Sequence, residues 1–182
     1  MLPIGPLMKE HRKIERMVAL IAGEAERLAG DQGAEPNTQF NRDALLFMRE
    51  YADECHHGKE EDILFEQLQE EDLSEEHQEI IERLLKDHVR GRELAAALEE
   101  ATDRWENGDE DAREDMVKAM QGVGDLYPEH IALEDDDFFI PSMEYFSDEE
   151  KEDMMEDMWD FDHDLFTDIY VGCLTEYEQQ AD

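Results

Sequence analysis

Apolar residues recur at three- and four-residue intervals along most of the chain, the spacing of one face of an α-helix. Leu7, His11, Ile14, Val18, Ile21 and Leu28 mark a first helix beginning after Pro6, since proline suits the first helical turn, and GDQGAEPN (Gly30 to Asn37) stops it. A second helix is predicted from about Thr38 to Glu70, through LLFMREYADECHHGKEEDILFEQL. Ser74, followed by two glutamates, is a good start for a third, which carries Ile80, Ile81, Leu84, Leu85, His88, Leu94 and Leu98. ENGDE (Glu106 to Glu110) is the next break, and a fourth helix runs towards Pro141, bent or restarted near Pro128. Ser147 with Glu150 forms a capping box that opens a fifth helix through MMEDMWDFDHDLF.

Long helices joined by short breaks predict an all-α fold, an up-down-up-down four-helix bundle with an additional C-terminal helix. The bundle takes about residues 7–141. The appended helix takes about 147–178 and packs outside the bundle or serves a protein partner or a second copy of the chain. The whole of 1–182 reads as one domain, and 40% hydrophobic residues suffice for its core. With only 10 glycines and 5 prolines, the chain lacks the turn residues of a sheet-rich fold.

Charge narrows the function. The formal net charge is −37, from 53 acids against 16 bases. Nucleic acid and anionic membrane surfaces both require a basic face and are excluded as partners. Self-repulsion on this scale costs stability at low salt, so a salt-rich setting is expected, and the melting temperature should rise with added salt. No apolar run reaches the length of a membrane span, and the N-terminal MLPIGPLMKEH lacks the features of a cleaved leader, so a cytoplasmic location is expected. Cys55 and Cys173 make no disulfide framework, and Cys55 falls on an apolar stripe as a buried thiol.

The candidate chemistry lies in two segments 74 positions apart: CHHGKEEDILF, and HIALEDDDFFI beginning at His130. Aligned, His56 matches His130, Glu60 matches Glu134 and Glu61 matches Asp135, giving H-x-x-x-E-[ED]-x-x-[LF]-F twice. Residues four apart share a helix face, so each His–Glu pair can coordinate one cation. In so acidic a chain, an acid four residues after a histidine is common by composition alone. The face decides instead. On a regular helix His56–Glu60 lies on the apolar side, with Ala52 and Leu64, whereas His57–Glu61 lies on the polar side with Asp53. His130 lies between Leu126 and Phe138, His88 between Leu84 and Ala95, and His11 between Leu7 and Val18. Four histidines, one per bundle helix, thus face a common interior with two carboxylates, and buried carboxylates call for a cationic partner. Arg92 is the one base expected within reach. His77 and His163 fall in exposed-looking acidic stretches, EDDD beyond Glu134 reads as solvated, and the methionines and aromatics of the fifth helix read as packing. The E-x-x-H pairs of ferritin-like di-iron proteins are not present twice; only Glu54 and His57 fit.

The motifs EHRKIERM, HHGKEEDILF, DHVRGREL and YPEHIALEDDDFFIP, in this order, resemble those of hemerythrin-like (HHE cation-binding) domains over about Leu7 to Pro141. The resemblance implies two iron ions between the helices, or manganese on the same oxygen and nitrogen donors. His11, His56, His88 and His130 would be terminal ligands, and Glu60 and Glu134 would bridge. Oxygen carriers of the family have a second histidine on the third helix where this chain has Arg92, and water or Glu15 would complete the set. Their fourth-helix carboxylate falls at Asp135; Glu134 is preferred here because it keeps the helical face. The implied function is binding of dioxygen or a related ligand such as nitric oxide, for sensing, storage or scavenging, in which a reduced centre gives two electrons to oxygen. A di-iron oxidoreductase or a repair protein for iron clusters and nitrosative damage is the alternative from the enzyme class, and a metal-free acidic interaction module is a third.

Overall fold

The computed structural model describes residues 2–163 and 177–179. Among them every regular element is a helix. Helix α1 is Ile4–Gly30. The rod α2 opens as Thr38–Leu46, passes through two π-helical stretches, Phe47–His57 and Glu60–Phe65, and closes at Glu66–Leu68. Helix α3 is Glu75–Glu106. The rod α4 opens as Ala112–Ala132, becomes π-helical over Leu133–Phe138 and ends with Phe139–Ser142. After a short 3-10 turn, Met143–Tyr145, comes α5, Asp148–His163.

The ends are set by local chemistry. The Asn37 side chain accepts from the Phe40 amide at 3.0 Å, and Ser74 Oγ accepts from the His77 amide at 3.2 Å. Each such cap contributes about 1 kcal/mol. The Ser147–Glu150 box forms reciprocally: the Ser147 amide donates to Glu150 Oε2 at 2.7 Å and the Glu150 amide to Ser147 Oγ at 3.3 Å. Gly108, at φ +89°, takes the left-handed conformation that closes the end of α3.

Several expectations are revised. The first helix begins at Ile4 with Pro3 as its cap, so Pro6 lies within its first turn and not before its start. The fourth does not restart at Pro128, which sits within an unbroken α-helical run. α5 is described only to His163, so most of the expected 164–178 segment, Cys173 and the His163 side chain fall outside the described residues; Tyr177 and Glu178 are helical. Met154 and Met158 of α5 are buried as expected, but Trp159 is 62% exposed.

Each long rod packs on its neighbours in sequence, and α1 closes on α4. Two apolar clusters fill the interior. One joins Ile14, Ile21, Phe47, Leu98, Met116 and Val123. The other joins Leu7, Leu64, Phe65, Leu84, Phe138 and Met154. Between them, every rod contributes histidine or glutamate instead of a hydrocarbon side chain.

Candidate metal centre

His11, His56, His88 and His130 are all buried, as are Glu60 and Glu134. His57 is buried with them, contrary to its expected outward face. The reason is the backbone. A π-helix carries more residues per turn than an α-helix, and Phe47–His57 is π-helical. Adjacent residues there are separated by a smaller angle than on the regular wheel, so His56 and His57 both turn inward.

Donor atoms gather in two groups that share Glu60. One comprises His11, His56, Glu60 and Glu134; the other His57, Glu60, His88 and His130; in each, the potential ligand atoms all lie within 4.8 Å of one another. Glu60 spans the groups, with Oε1 3.2 Å from His56 Nε2 and Oε2 3.4 Å from His88 Nε2. Glu134 spans them from the other side, its Oε2 lying 3.2 Å from His11 Nε2 and 3.3 Å from His130 Nε2. The Nε2 atoms of His11, His56, His88 and His130 and all four oxygens of Glu60 and Glu134 are buried without a hydrogen-bond partner. Leaving one such atom unpaired costs about 1–3 kcal/mol. Eight such atoms, with imidazole and carboxylate donors only 3.2–3.4 Å apart, suit cations held in common.

Behind each imidazole stands a carboxylate. Nδ1 lies 2.8 Å from Asp135 in His11, 2.9 Å from Glu10 in His56, 3.2 Å from Asp53 in His57 and 2.7 Å from Glu61 in His88. His130 faces Asp87 at 3.7 Å, beyond hydrogen-bond reach. A carboxylate behind Nδ1 keeps the proton on that nitrogen and leaves the Nε2 lone pair pointing inward, the arrangement that orients a metal-binding imidazole. Asp135 is therefore an orienting group and not a solvated one, and Glu61 serves His88 and not His57.

A third layer is cationic. Arg12 pairs with Asp135, Lys59 with Glu10 at 2.5 Å, and Arg83 faces Asp87 at 3.8 Å. Arg92 forks to Asp53 at 2.8 Å and Glu61 at 2.7 Å. It thus reaches two outer carboxylates and neither central one. Glu15 pairs with Arg12 at 3.0 Å and stays on the surface. Glu54 is exposed, so the ferritin-like pairing with His57 does not form. His77 is half-buried, edge-on to Phe138 and Tyr145, and not free on the surface.

The electrostatics set the two central glutamates apart in the metal-free centre. Burial pushes Glu134 well above the usual carboxylate range, and the charge on Glu60 adds to it. Burial pushes Glu60 in the same direction, but His56 and His88 outweigh it and hold Glu60 well below that range. Burial opposes charging of His56, yet Glu60 and Glu10 raise it to about 9. His57 is driven far down by burial and by His88. In the metal-free centre, protons on Glu134 and His56 offset the charge of Glu60, and divalent cations would take the place of those protons.

A cavity of about 90 Å³ opens beside His57, lined by Met48, Asp53, Gly91, Arg92 and Tyr127. Gly91 lets Tyr127 come close to α3: a Cβ there would stand 2.9 Å from the Tyr127 hydroxyl.

The hemerythrin HHE cation-binding domain matches residues 2–140, and the chain belongs to that family. As a member it carries His/Glu clusters suited to holding metal cations. No curated protein and no solved structure matches the chain. No described helix is long and apolar enough to cross a membrane.

Proposed function

We propose that the chain is a non-haem di-iron protein that binds dioxygen or a related small ligand such as nitric oxide. In this reading His11, His56, His57, His88 and His130 would hold the ions from the outside, Glu60 and Glu134 would be shared between them, and manganese would suit the same donors. The observation that carries it is the set of eight unpartnered inward atoms, backed on four imidazoles by a carboxylate at 2.7–3.2 Å. When bound, the two ions supply redox electrons and coordination positions for a small ligand. The chain's own part is to fix the five imidazoles, turn Nε2 of His11, His56, His88 and His130 inward, and exclude water with Phe65, Phe138 and Phe139, all about 1% exposed or less. The 90 Å³ cavity suits a molecule of a few atoms and not an organic substrate.

The up-down-up-down arrangement belongs to the same proposal. Along α1 and α3 the chain passes from the Leu7/Leu84 cluster to the Ile14/Leu98 cluster, and along α2 and α4 it passes the other way. That alternation is what antiparallel neighbours produce. A single domain and a cytoplasmic setting complete the reading.

Metal analysis of protein purified without chelator tests it, and two ions per chain is the expected result. Reduced, iron-loaded protein exposed to air should develop a visible charge-transfer band; if none forms, oxygen binding is wrong. A coordination position left open by Arg92 in place of a histidine would favour the oxidoreductase alternative. With His57 at the centre, that support is gone, and stoichiometric uptake of dioxygen or nitric oxide, without turnover, is expected.

A further inference from the structure

The matched family region ends at residue 140, yet α5, which begins at Asp148, reaches into the centre's surroundings. Asp162 Oδ1 lies 2.6 Å from Lys59 Nζ. Lys59 is fully buried, and its other partner is Glu10 Oε1 at 2.5 Å. The second oxygen of Glu10 faces His56 Nδ1 at 2.9 Å. An unbroken chain of charge-assisted contacts therefore runs from α5 through α2 and α1 to an inward imidazole. Cys55 joins it: burial pushes its thiol up to about 12, so it stays protonated, and its Sγ lies 3.3 Å from Asp162 Oδ1.

The seat for α5 is shaped for this contact. The Phe161 ring lies directly over Gly58, where a Cβ would stand 2.7 Å from the ring. Met154 and Met158, both buried, pack with Ile63 and Leu64 on the same rod. Lys59 without Asp162 would be an ammonium in an apolar wall with one partner, free to draw Glu10 away from His56. Glu10, Cys55 and Asp162 are close enough to hold a metal ion themselves, but the Lys59 ammonium already stands among them.

We infer that α5 is a working part of the metal centre: docked, it fixes Lys59 and Glu10 through Asp162, and so sets how firmly the His11/His56 subsite retains its ion. Asp162 and Lys59 are positioning residues that act through His56. The inference rests on the di-metal reading, and its reach is asymmetric, because His57 and His88 are held by Asp53 and Glu61, His130 faces Asp87, and none of these acids lies on α5.

Iron transfer from fully loaded protein to an excess of a colorimetric chelator tests this. In Asp162→Asn one of the two ions should leave roughly tenfold faster, in line with the loss of an outer partner, while the other leaves at the wild-type rate. Asp162→Glu should restore slow release. Phe161→Ala, which alters the seat and no charge, should shift the same ion in the same direction. Binding linkage is reciprocal, so in the wild-type chain the amides of 148–163 should exchange with solvent more slowly when metal is loaded. Equal release of both ions in wild type and Asp162→Asn, or α5 exchange indifferent to metal, overturns the coupling and leaves the di-metal reading standing. Wild-type protein that takes up no metal overturns both.

Discussion

α1 and α3 cross the centre as regular α-helices, and each supplies one histidine. α2 and α4 turn π-helical at the centre, α4 just after His130, and together they supply three histidines and both glutamates. The difference shows how the backbone sets the density of donors. A regular helix turned towards the core presents about one residue per turn to a single point. Widened to π geometry, α2 turns two adjacent imidazoles inward and Glu60 below them, while in α4 Glu134 points to the centre and Asp135 reaches across to His11. π-helical segments are uncommon and concentrate at functional sites, which fits their place here.

The contrast is broken most severely at Glu60, the one residue common to both donor groups. Glu60→Ala should abolish loading of both ions, an effect beyond the roughly 10–100-fold typical of an outer partner, seen by metal analysis after desalting. His57→Ala removes what the π-helix adds: content should fall from two ions per chain towards one, whereas His77→Ala leaves it at two. If His57→Ala retains both ions, the second inward histidine has no part in binding. Glu61→Gln, which weakens the 2.7 Å partner of His88, should lower affinity about 10–100-fold by competition titration.

Acidity gives a further effect. His56 is raised from 6.5 to about 9 in the metal-free centre, so up to that pH an incoming ion must displace its proton. Affinity should rise by up to about tenfold per pH unit between pH 6.5 and 9. The sign for stability follows from the same shift. A raised folded-state value means that the imidazolium stabilises the metal-free fold fully below about 6.5, and that this contribution fades as pH climbs through 9. The ions replace it, so the gap in melting temperature between loaded and metal-free protein should widen over that window. The smallest effect is expected at Asp87→Asn, about threefold or less in affinity, because Asp87 stands 3.7 Å from His130.

The helical spacing of His11, His88 and His130 made them readable in advance, since each lies on an apolar stripe that a regular wheel displays. His57 was unreadable for the same reason: the wheel assumes α geometry, and composition does not announce a π-helical turn. The one local hint was the doubled histidine itself. Glu134 was distinguishable from Asp135 by its face, but the contact of Asp135 with His11 joins residues 124 apart in sequence. Glu10 and Lys59 gave no signal, because an acid beside a histidine and a lysine beside a glutamate are ordinary surface patterns. Only the packing of α1, α2 and α5 makes them interior. The fold was more legible than the site: caps at Ser74 and Ser147 act locally, and the apolar stripes extend over many turns.

Arg92 stands one turn after His88 on α3, outside the donor set. A guanidinium does not lose its proton in any ordinary solvent, so its grip on Asp53 and Glu61 persists wherever those acids are ionised. Through them one side chain steadies both His57 and His88, whose rings stack at 3.9 Å. A lysine there has a single ammonium and no rigid fork; it would release one imidazole to keep the other. In this chain the guanidinium is a fastener for two.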